Sequence, residues 1–279
     1  MKKLLLLLAC ALISGTSSAA SGSADSDQKF AEAMSSFIRS ETVVRSAAEE
    51  YGFTGSRVEI MRRYFQSLAD HPEIWRYVIR QYRQIGLFDR WEEKRDLTEE
   101  TKKVSLSLLL ALGRDGIRRL GPEDQKAFLR FTGKSYRMEN PRICRKLALS
   151  GDPADFRGTE LRDYMREVFA GMPDAEVSRH FDIVSRSVVA AVNDNPAPRS
   201  LSASEEKYGT KAWQRKMLEK LLRLPPAEVE KLAAALANIE SAPDAETCRA
   251  ARLMVESALE VEGTAGDWAR AGLLNALAR

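Results

Sequence analysis

The chain has 279 residues, 43 of them Lys or Arg and 40 Asp or Glu, for a formal net charge of +3. Loss of Lys2 and Lys3 with a leader would leave +1, which excludes the global basic field of a typical nucleic-acid binder. Hydrophobic content of 44% beside 30% charged residues excludes a disordered chain and supplies one large core or two smaller ones.

Met1-Lys2-Lys3, the apolar stretch from Leu4 to Ile13 and small residues through Ala20 have the layout of a secretory signal peptide. Ser18 and Ala20 place cleavage after Ala20, giving a leader over 1–20, and Ala24 is a second candidate. Leu7-Leu8-Ala9-Cys10 resembles the lipobox of bacterial lipoproteins, in which Cys10 would carry the lipid. The apolar core left to such a leader, Leu4 to Ala9, falls short of the usual length of about 7–15 residues. The expected location is periplasmic or secreted, with attachment through Cys10 the alternative. No later stretch has the roughly 20 apolar residues a bilayer span needs, so no transmembrane helix is expected in the mature chain.

Apolar residues then recur every three or four positions, the period of an α-helix. Asp27 caps a first predicted helix whose face is Phe30, Met34, Phe37, Glu41, Val44, Ala48 and Tyr51, stopped by Gly52. Ser56-Arg57-Val58-Glu59 has capping-box form and opens a helix with Met61, Tyr64, Phe65 and Leu68. Pro72 opens a third, with an apolar face of Ile74, Trp75, Val78, Ile79, Tyr82 and Ile85 and a stop at Gly86. A long helical segment runs from Thr98 to Leu120, and Gly113 and Gly116 are expected to break or bend it. Pro122 and Pro141 start the next two helices, the second holding Cys144 and ending at Gly151. Thr159–Ala170 and Pro173–Val192 are two more. Asn193 to Ser200 is linker-like, rich in Asn and Pro. Helices over about Ser204–Leu222, Pro226–Ile239, Asp244–Glu260 and Ala265–Ala278 close the chain, and no strand pattern is present.

The reading is all-α: an irregular bundle of about ten short helices, divisible into two helical subdomains joined by a disulfide. Its segments are an N-terminal helical region over 21–192, a linker over 193–203 and a C-terminal helical region over 204–279. Two cysteines survive processing, Cys144 and Cys248, an even count that in an oxidising compartment predicts a bridge. A shift of 104 aligns 119–149 with 223–253, with Arg119-Leu120-Gly121-Pro122 against Arg223-Leu224-Pro225-Pro226 and Cys144-Arg145 against Cys248-Arg249. A true repeat would put both cysteines at equivalent places in two helical hairpins.

Chemical motifs are sparse. The two histidines, His71 and His180, are far apart, and there is no clustered Cys/His set, so no metal or cofactor is implied. The hydrolase elbow Gly-x-Ser-x-Gly and phosphate-cradling glycine loops are missing. Glu176 and His180, four apart on one helix, can touch and form an acid–base pair, although such pairs are usually a solvated helix face. Glu240-Ser241 and Glu256-Ser257 carry the dipeptide sought in helical enzymes that cut cell-wall glycan, but the glycine-rich continuation of lytic transglycosylases follows neither. No catalytic residue is assigned.

The most distinctive surface signal mixes arginine with aromatics: Arg62, Arg63, Tyr64, Phe65, Trp75, Arg76, Tyr77, Arg80, Tyr82, Arg83, Phe88, Arg90 and Trp91. On the third helix Trp75, Ile79 and Tyr82 point one way and Arg76, Arg80 and Arg83 another, an amphipathic design whose arginine face is a candidate anion-binding surface. The leading expectation is an exported envelope protein that is not an enzyme and presents helical surfaces to a protein partner. The alternatives are an envelope hydrolase or lyase using a carboxylate, and a binder of anionic glycan or lipid.

Overall fold

The structure is a computed structural model that describes residues 24–87, 98–137, 140–149, 156 and 159–277. The predicted leader over 1–20 and its Cys10 lie outside them. Among the described residues there are thirteen α-helices and no strand: α1 Ala24–Ile38, α2 Glu41–Glu50, α3 Ser56–Ala69, α4 Pro72–Gln84, α5 Thr98–Ile117, α6 Pro122–Ser135, α7 Pro141–Leu149, α8 Glu160–Ala170, α9 Asp174–Val192, α10 Ala203–Leu221, α11 Pro226–Ala237, α12 Asp244–Glu260 and α13 Gly263–Leu277. The chain is all-α, as its periodicity requires.

Proline decides several starts. Pro72, Pro122, Pro141 and Pro226 each open a helix, where a missing N–H costs nothing because first-turn donors have no helical acceptor. Three local expectations give way to other chemistry. The face from Phe30 to Tyr51 belongs to two helices, because Ser40 interrupts it and caps α2, its hydroxyl accepting from the Val43 N–H at 3.4 Å. Asp27, expected as a cap, lies inside α1 and pairs with Arg83 at 2.7 Å. The expected box at Ser56 does not form. Gly55 takes the cap position at φ 56°, the left-handed region open to glycine, and the Ser56 hydroxyl donates to the Asp174 carboxylate instead. A capping box does form at Ser202, whose hydroxyl accepts from the Glu205 N–H while the Glu205 carboxylate accepts from the Ser202 N–H. Gly113 and Gly116 sit within α5 and do not interrupt it.

Two compact units share the chain, one built from residues 1–113 and 173–195, the other from 114–172 and 196–279. Their borders fall elsewhere than the linker at 193–203, because α9 returns to the first unit after the chain has entered the second. In the first unit α1 packs on α3 and α4, and α9 lies along α3 and α4. Ile38, Leu68, Ile74, Trp75, Val78, Tyr82, Leu87, Leu112 and Val188 form its buried core. Tyr51, Phe53 and Tyr64 gather around Phe181 of α9, with ring centroids 6.2, 6.1 and 4.9 Å away.

In the second unit α12 is the central element, touched by α6, α7, α10, α11 and α13. Cys144 of α7 and Cys248 of α12 are joined, with Cα atoms 5.5 Å apart, so the bridge closes this unit. Buried Gln125 caps the end of α5, its amide donating to the Leu120 carbonyl at 3.0 Å and to Ile117 and Arg118 at 3.4 Å. The aligned stretches 119–149 and 223–253 both fold as helix pairs, α6–α7 and α11–α12. They pack differently: α11 lies along α12, whereas α6 rests on α12 and α13 rather than along α7.

At Gly209 the α10 and α13 backbones approach closely. A Cβ there would sit 2.8 Å from the Trp268 Cβ and 2.9 Å from the Ala269 nitrogen. Gly209→Ala gains about 1 kcal/mol of helix propensity but forces two backbones apart, at about 1–3 kcal/mol. We expect a net loss of up to about 2 kcal/mol in urea unfolding; an increase in stability would show that the two helices are not this close.

Candidate functional site

On α4 the buried residues Ile74, Trp75, Val78, Ile79 and Tyr82 face the core of the first unit, while Arg76 and Arg80 are exposed. The expected three-arginine face is not uniform. Arg83 is committed to Asp27 of α1, but no acid among the described residues pairs with Arg76 or Arg80. Arg62 is also engaged: it holds Glu41 and, at 2.9 Å, Glu59. Its hydrogen bond to Glu41, with a second from Arg45, holds that carboxyl down at about 2. Arg63 donates to the Ser178 hydroxyl at 3.5 Å. Phe88, Arg90 and Trp91 lie outside the described residues.

The acid–base candidates fall in unlike surroundings. Glu176 is exposed in the first turn of α9. His180 is half-buried with its ring edge-on to Phe181, centroids 5.6 Å apart. Desolvation holds the imidazole well below its ordinary pKa, so the ring is neutral at pH 7. Glu240 is exposed in the turn between α11 and α12, where its backbone carbonyl accepts from Arg145 at 2.5 Å. Glu256 lies mid-helix on α12, one carboxylate oxygen 2.8 Å from Arg137 and the other 3.6 Å from Lys220, and its neighbour Ser257 is fully buried. Both oxygens of Glu256 therefore serve to fasten elements of the second unit. No group of three or more His, Cys, Asp or Glu with metal-holding geometry occurs among the described residues.

The most exposed large apolar side chains lie elsewhere. Tyr208, Leu218 and Leu222 are 62, 55 and 74% exposed, more than any other large hydrophobic residue among those described. All three belong to α10 or its C-terminal cap. At ~100° per residue, Tyr208, Lys211, Arg215, Leu218 and Leu222 fall within an arc of roughly 80°, with Lys207 beside it. Lys207, Lys211 and Arg215 are exposed. Arg215 contacts Glu219 at 3.4 Å, and Glu219 also accepts from Lys216 at 2.8 Å.

The opposite side of α10 is fastened to the unit. Gly209 meets α13, the Trp213 indole N–H donates to the Met254 carbonyl at 2.8 Å, and Lys220 pairs with Glu260 at 2.6 Å. A rigid helix thus displays cations along its length and leucine at its end. Two shallow depressions flank it, one along Ala203, Glu206, Lys207, Thr210, Lys211 and Gln214, the other between Ser200, Leu201 and the Gly272–Ala276 stretch of α13. Sequence reading missed this face because the apolar positions of α10 occur on both sides. The overlooked signal was the spacing 208, 211, 215, 218, 222, which joins lysine, arginine and leucine in one stripe. Comparison with protein-family models, curated proteins and solved structures finds no match to this chain.

Proposed function

We propose that this is an exported protein of the cell envelope, periplasmic or secreted, which works by presenting helical surfaces to a partner rather than by catalysis. The outward face of α10 carries the reading. Burying Tyr208, Leu218 and Leu222 would be favourable, yet the fold leaves them in water while holding their helix rigidly from behind. An envelope hydrolase or lyase has weaker support, since Glu256 is occupied by Arg137 and Lys220 and Glu240 stands on an open turn. A second reading, binding of an anionic glycan or lipid at α4, is favoured by exposed Arg76 and Arg80, which pair with no acid among the described residues.

The test is photo-crosslinking in the producing cell from a benzoylphenylalanine placed at Leu222, with a second site at exposed Glu176 as control. A discrete adduct from position 222 that is lacking from 176 is expected, and its absence would remove the reading. Mass spectrometry of the adduct-bearing chain reports export at the same time, with a mature N-terminus at Ser21 expected; a retained leader would overturn the location.

A further inference from the structure

We infer that the outward face of α10 docks on an anionic lipid surface, with Lys207, Lys211 and Arg215 on the headgroups and Leu218 and Leu222 entering the boundary with the acyl chains. The inference rests on the reading that this face is the working surface, and it names the partner.

Four observations point to lipid. The stripe is net cationic: Lys207 and Lys211 pair with no acid among the described residues, and Arg215 shares Glu219, at the margin, with Lys216. The opposite side of α10 is already packed on its own unit, so its exposed cations and leucines lie on the one face left to meet a surface, where charge would engage headgroups and the leucines the layer beneath. Leu222, the most exposed of the large hydrophobic residues, stands at the helix end where the chain turns toward α11, with exposed Arg223 next to it. Tyr208 adds an amphipathic ring of the kind enriched at headgroup level. A soluble polyanion would satisfy the lysines but leave both leucines in water, which makes it the poorer fit. An acidic protein with an apolar groove is the competing partner, and the experiment separates it.

Purified mature chain is floated with vesicles of phosphatidylcholine alone and of phosphatidylcholine mixed with phosphatidylglycerol, at low and high salt. Binding to the anionic vesicles only, weakened by salt, is expected. Leu218→Ser with Leu222→Ser should weaken it about tenfold or more, and Lys211→Glu with Arg215→Glu should abolish it. Arg130→Glu with Arg142→Glu, on α6 and α7 and so off the α4 and α10 faces, should leave it unchanged, and Arg76→Glu with Arg80→Glu asks whether α4 carries the binding instead. All eight positions are exposed, and each variant is accepted only with a wild-type circular dichroism spectrum and melting curve. As a check that needs no charge reversal, Lys211→Gln should give a smaller loss in the same direction. The inference is overturned if the folded wild type ignores anionic vesicles, if the α10 variants bind as wild type does, or if binding follows Arg76 and Arg80. A protein crosslinked at position 222 without vesicle binding would also overturn it, while leaving the surface-interaction reading standing.

Discussion

Arg270→Met is expected to lower the stability of the second unit by about 2–5 kcal/mol, the cost of leaving two buried carbonyls without their donor. Arg270 is 3% exposed, on α13. One guanidinium nitrogen donates to the carbonyls of Ala258 and Val261, at 3.2 and 3.1 Å, and another to Asp267 at 2.6 Å. Those carbonyls lie at the C-terminal end of α12, where a helix has no further N–H groups to offer. Methionine fills similar volume but donates nothing, leaving two buried acceptors and a carboxylate without their shared donor, at about 1–3 kcal/mol per neutral group. The positive end of the side chain also opposes the negative end of the α12 dipole, an effect of about 0.3–1 kcal/mol that disappears with it. Urea unfolding followed by circular dichroism measures the loss. Arg270→Lys should restore only part, since a point charge on a flexible stem cannot reproduce the fork. A loss below about 1 kcal/mol for the methionine variant would show that the α12–α13 corner is held by packing alone.

Cys144→Ser with Cys248→Ser should cost about 4 kcal/mol, close to the effect that chain-entropy arguments assign to a loop of roughly 100 residues. The bridge spans a sequence separation of 104. It joins short α7 to the central helix α12, and both sulfur-bearing residues are buried, Cys144 completely. Nine-residue α7 would be marginal alone and depends on its attachment. Thermal unfolding with and without reductant is the measurement: a lower midpoint for the reduced wild type, matching the double serine variant, is expected. If reductant left the midpoint unchanged while mass analysis showed two free thiols, the bridge would have no part in stability.

Legibility in the sequence followed the range of the interactions. Helix starts at Pro72, Pro122, Pro141 and Pro226 depend only on a missing N–H and a fixed φ, and they stand where the prolines put them. The inward stripe of α4 was readable because one face is purely apolar. Errors arose where two local solutions competed. Ser40 breaks the Phe30–Tyr51 stripe, although hydrophobic spacing runs through it, and Ser56 gives up its cap for Asp174, 118 positions away. Nothing local marks α9 as a member of the first unit, nor Arg270 as a buried cap, since arginine is ordinarily read as surface. Of the candidate site, Arg76 and Arg80 were found on the expected face. Arg83 was lost to Asp27, whose pairing depends on how α1 lies against α4.

The return of α9 has a consequence for synthesis. A polypeptide leaving a ribosome or threading an export channel head first delivers residues 24–113 long before Phe181 and Val188 arrive to complete their core. Residues 114–172, part of a different assembly, emerge in between. The earlier portion must wait with its apolar grooves open, so the protein is one that a holding chaperone would help, and neither half can be obtained whole by a single cut of the chain.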